Sequence, residues 1–337
     1  MLKTTIELID HLNQDNHSVN FTIINSLVNA ILKCGNKEDA DLILNQYLKN
    51  PFDFNHSVLL PVLTKFGDEH YAELVFQSFI KENKLIENAD PAILEVIGNL
   101  QYDPVKPVLA EYVFDKPGAD YYLSKSAVLG LLNFDCDEYQ NEIESAIENC
   151  YNKNLFPEFV PALVCKLKNQ PLVLEKLYEL GSQYASTDCN AGIILGFSLS
   201  GEEGRKYFKR VLFDPLWETY STSTGTIHFA YQGMKNAGIN FNELYHEIKQ
   251  ISDKDQLAYS LDVLFALIER RIGDAEINLT ESFSDIYSLL FKWENAKESN
   301  NLTALAAQVN KSEEAFQIER IIELKMHEEA ILKNYIS

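Results

Sequence analysis

The chain is 337 residues long, 46% hydrophobic, and carries a formal charge of −21, from 50 acidic residues against 29 lysines and arginines. The apolar content excludes bulk disorder, and the length exceeds what a single core usually serves, so the chain must divide into domains or extend as an array. The acidic balance repels phosphate backbones, and only five bases are arginine (Arg205, Arg210, Arg270, Arg271, Arg320), which argues against a nucleic-acid partner.

The N-terminus carries Glu7 and Asp10 where an export signal needs an unbroken apolar run. No window reaches the ~18 to 20 uncharged apolar residues of a membrane span. A cytoplasmic protein without membrane contact is expected. Leu2 to Leu12 and Phe21 to Cys34 have apolar residues at helical spacing, the second closed by Gly35, and predict the first helical hairpin. Helices over 38–49 and 58–66 follow, and the second of these stops at Gly67.

Two neighbouring segments then repeat each other. Val96-Ile97-Gly98-Asn99-Leu100-Gln101-Tyr102-Asp103 returns as Val128-Leu129-Gly130-Leu131-Leu132-Asn133-Phe134-Asp135, an offset of 32 from Val96 to Val128. Similar joints between helices recur at Gly35, Gly67, Tyr102, Phe134, Asn169, Gly201, Gly238 and Gly273, stepping by 32, 35, 32, 35, 32, 37 and 35 residues. A fixed step of this size marks a repeat architecture. Segments before each joint (22–34, 57–66, 91–101, 121–133, 157–168, 187–199, 226–236, 257–271) form one predicted helical row. Segments after it (38–49, 69–83, 104–114, 138–151, 171–184, 202–212, 240–251, 280–293) form the other. Starts are marked by Asp90-Pro91 and Asp103-Pro104, an acid before a proline. Strand-like alternation is absent, so the fold class is all-α.

Ala127-Val128-Leu129-Gly130-Leu131-Leu132 followed by Asp135, and Ile93 to Leu100 followed by Asp103-Pro104, resemble the short HEAT-like repeat of the kind seen in bilin lyases. The arginine usual early in the inner helix is missing; Tyr122 and Lys125 stand nearby instead. The resemblance implies an α-solenoid, a curved superhelix whose inner row lines a concave surface, and implies no chemistry. The expected organisation is one solenoid over 1–337, with about eight helix pairs over 1–293 and capping helices over 294–337.

Two stretches interrupt the pattern. Phe213 to Tyr231 is an aromatic cluster broken by a hydroxyl-rich loop, and 312–335 is a charged amphipathic tail suited to closing an open solenoid end. Trp217, Tyr220, His228 and Tyr231 in the first stretch read either as core of an irregular repeat or as ring anchors for a partner. Between Leu85 and Cys150 thirteen acids meet three lysines, Lys106, Lys116 and Lys125. That excess is either a solubilising coat or a partner-facing patch.

The five cysteines (34, 136, 150, 165, 189) form no CxxC and no metal-ligand spacing with the seven scattered histidines, so free thiols and no metal or other cofactor are expected. Phosphate-loop, HExxH, GxSxG and GxGxxG signatures do not occur. The expectation is therefore a non-catalytic scaffold that binds a basic protein, in its sharpest form an immunity protein neutralising a toxin, since some immunity families resemble HEAT-like arrays. Glu95, Asp120 and Glu158 would steer the partner, with Tyr121, Tyr122, Trp217, Tyr220, His228 and Tyr231 as its contacts. The alternative is a HEAT-like lyase or small-molecule binder using the 213–231 rings.

Overall fold

The computed structural model describes residues 2–13, 21–49, 54–115, 121–153, 159–183, 190–217, 219, 226–248 and 250–273. The expected helix over 280–293 and the capping tail lie outside these. The described chain is almost entirely helical, and its contacts gather into two compact units, Met1–Lys116 with Tyr122–Phe134, and Asp135–Ala275.

In the first unit α1 (Lys3–Leu12), α2 (Phe21–Cys34) and α3 (Lys37–Lys49) come first. A 3₁₀ turn (Phe54–Leu59) then runs into α4 (Leu60–Phe66), and α5 (Glu69–Phe79), α6 (Ala92–Asn99), α7 (Lys106–Ala110) and α8 (Tyr121–Leu131) complete it. Caps explain several starts. Asn36 Oδ1 accepts from the Glu38 N–H while Asp39 Oδ2 accepts from the Asn36 N–H, a reciprocal box that opens α3. The Asp68 side chain accepts from the Tyr71 N–H at the head of α5.

Three local features differ from the helical periodicity. The helix expected over 69–83 stops at Phe79, because Glu82 and Asn83 both adopt positive φ (50° and 60°) and turn a two-residue hairpin between β1 (Ile80–Lys81) and β2 (Lys84–Leu85). The segment expected over 104–114 is a 3₁₀ turn (Asp103–Val105), then α7, then a π-helical turn (Glu111–Asp115). Finally, α6 ends in a Schellman motif: the Tyr102 N–H donates to Ile97 O and the Gln101 N–H to Gly98 O. The left-handed residue there is Gln101 (φ 54°), not a glycine.

The second unit holds α9 (Gln140–Lys153), a 3₁₀ stretch (Val160–Lys166), α10 (Gln170–Gln183), α11 (Asn190–Leu199) and α12 (Gly201–Leu212). After a 3₁₀ turn (Pro215–Trp217) come α13 (Thr226–Asn236), α14 (Phe241–Ile248) and α15 (Lys254–Gly273). Gly238 takes the left-handed position after α13 (φ 63°), with the Ile239 N–H donating to Met234 O. Its φ is open to glycine at little steric cost. Gly35, by contrast, is not among the positive-φ residues.

Side-chain hydrogen bonds beyond the local range reach a nearly constant distance along the chain. Among the described residues they run from Gln140–Lys166, 26 residues apart, to Gln256–Phe213, 43 apart. Between these limits fall Tyr71–Asp41, Lys65–Leu32, Trp217–Ser182, Tyr178–Asp214 and Arg205–Glu243. Within each unit these bonds tie neighbouring helix pairs together.

Candidate functional site

In the first unit α6 and α8 carry the predicted site residues. The two helices meet where side chains vanish: a Cβ on Gly98 would stand 2.4 Å from the Gly130 Cα. Ile93, Leu94, Val96, Ile97 and Gly98 are buried, so Glu95 is one of few α6 residues that reach the surface, and it does so half-buried. That burial raises its carboxyl above the ordinary range; the Lys125 charge opposes the rise and the Asp90 charge adds to it. At the head of α8, Tyr121 is 39% and Tyr122 67% exposed, the latter among the most open large side chains described.

In the second unit α9 buries Ile143, Ile147 and Cys150 on one side. Its other side, with the turn leading in, exposes Asp137, Glu138, Glu142, Glu144 and Glu148. Lys168 pairs with Asp137 at 2.9 Å. Glu144 and Glu148, one turn apart and both exposed, repel each other by a few tenths of a kcal/mol.

The 213–231 rings are used differently from the partner-anchor expectation. Trp217 is 1% exposed and stacks on Tyr178 with ring centroids 5.8 Å apart. Its Nε1 donates to Ser182 Oγ, and its six-membered ring lies where a Cβ on Gly181 would be, 2.1 Å from Cη2. Tyr231 is 4% exposed under the Lys235 ammonium, 4.2 Å from its ring centre. Both rings are therefore core, and as surface anchors they are corrected: an indole with a hydrogen-bonded N–H in a glycine-shaped slot gains more from enclosure than from solvent. His228 is exposed and meets Phe229 edge-on at 5.2 Å. Asp120, Glu158 and Tyr220 lie outside the described residues.

In this unit α11, expected in the inner row, is enclosed. Every residue of α11 from Asn190 to Ser198 is buried, and Phe159 meets Phe229 at 5.0 Å across the helices flanking it. A helix apolar on all sides is one enclosed on all sides. The sequence Ala191-Gly192-Ile193-Ile194-Leu195-Gly196-Phe197 carried that signal.

Sequence reasoning passed over Asp90 as more than a cap, and over the α12–α14 pairing. Arg205 reaches both Glu243 oxygens at 2.9 and 2.8 Å and donates from Nε to Ala237 O, while Lys209 bonds Glu243 and Glu247. These half-buried pairs join two helices of adjacent pairs. Arg210 stacks over Tyr178 at 4.1 Å. Among the described residues, no group of three or more His, Cys, Asp or Glu is arranged to hold a metal, and no helix is long and apolar enough to cross a membrane. No protein family, curated protein or solved structure matches the chain.

Proposed function

We propose that the chain is a non-catalytic α-solenoid of HEAT-like helix pairs that binds a basic partner protein, in its sharpest form an immunity protein neutralising a toxin domain in the cytoplasm. The observation that carries this reading is the concentration of acid over 85–150, thirteen carboxylates against three lysines, on helices whose acids face solvent. In the first unit Glu87, Asp103 and Asp115 are exposed; in the second, Asp135 and the α9 acids are. Their field would draw in a cationic surface and repel nucleic acid. The one-pair reach of the side-chain hydrogen bonds supports a repeat array, since nearest-neighbour contacts are what such arrays use. A lyase or small-molecule reading at 213–231 loses support from the enclosure of Trp217 and Tyr231.

The test is recovery of a partner from native cells, followed by association and dissociation rates over a salt series. Steering by exposed charge fades as the Debye length contracts to ~3 Å at 1 M salt, so association should slow far more than dissociation quickens. An acidic or nucleic-acid partner, or an association rate indifferent to salt, overturns the reading.

A further inference from the structure

We draw no further inference here: the strongest candidate, the surface patch of the second unit where the exposed Arg210 guanidinium lies over the Tyr178 ring and Asp214 joins that ring to the exposed Leu216, carries none, because nothing in the structure shows what covers it.

Discussion

Gly98 and Gly130 stand at equivalent positions of two repeated segments and touch each other. A Cβ on Gly98 would lie 2.4 Å from Gly130 Cα and 2.7 Å from its carbonyl oxygen, so the obstacle is backbone, which cannot turn aside. A Cβ on Gly130 would meet backbone too, the Leu94 carbonyl oxygen, but at 2.9 Å the overlap is smaller, and its other neighbours, the Leu109 methyl groups at 3.2 Å, can yield. Gly98→Ala should therefore cost more than Gly130→Ala, about 1 to 3 kcal/mol of overpacking, with Gly130→Val also in that range. Melting temperatures of the three variants check the order; an unchanged melt for Gly98→Ala would show that the helices separate freely.

Trp217→Ala should act on stability. Removing an enclosed indole leaves a large cavity beside Tyr178 and Phe197 and frees Ser182 Oγ, a loss of about 3 to 5 kcal/mol. Gly181→Ala should destabilise through the same contact from the other side, since its methyl would enter the ring. Denaturant midpoints for both decide. A Trp217→Ala chain as stable as the parent would show the ring to be poorly packed.

Asp39 makes stability depend on acid. Burial pushes its carboxyl up, but bonds from Thr5 Oγ1, the Leu2 N–H and the Asn36 N–H together outweigh this and hold its pKa below the ordinary carboxylate value. A group depressed in the folded state contributes stability that is fully present above its unfolded pKa, about 3.9, and is lost as pH falls through the lower folded value. Asp39→Asn should thus lower stability at pH 7 and flatten the acid limb below pH 4. An acid limb of unchanged slope would count against this account.

Gln101→Gly should stabilise. Gln101 occupies the left-handed position that ends α6, where a side chain is strained and glycine is not. The gain should be about 0.5 to 1 kcal/mol, read as a rise in melting temperature. A fall would mean that the Gln101 side chain holds the joint in some other way.

Thiol reactivity should split by burial. In a Cys189→Ser background, Cys34 is exposed, whereas burial pushes the Cys150 and Cys165 thiols up to about 12. Under native conditions at pH 8, a disulfide reagent should titrate Cys34 quickly and leave Cys150 and Cys165 protected; in denaturant all four remaining thiols should react. Rapid native reaction at Cys150 or Cys165 would contradict their enclosure.

The helices were legible because each carries its own period and most ends their own breaker. The spans around α2, α8, α11 and α13 follow the apolar spacing to within a few residues. What escaped depended on partners far along the chain. Trp217 reads as an interface anchor until Gly181, a helix pair upstream, is seen to open a slot for it. The hairpin after α5 uses Glu82-Asn83 without the glycine that ordinarily announces such a turn. Of the site, Glu95 and the open Tyr121–Tyr122 pair were visible as residue types. The Lys125 charge acting on Glu95 became apparent only once Gly98 and Gly130 brought two helices together.

Side-chain bonds that reach 26 to 43 residues also bear on how the chain acquires its structure. Among the described residues of each unit, the helix pairs so joined find a hydrogen-bonding neighbour without waiting for a distant stretch of polypeptide, so the closure entropy of those steps is that of a short loop. Pairing can then advance along each unit during synthesis, one pair docking on its neighbour. The Phe159–Phe229 ring contact reaches further: it skips over α11 and can form only after that helix is in place. Enclosure of α11 is thus a late event in assembly, completed when α13 arrives.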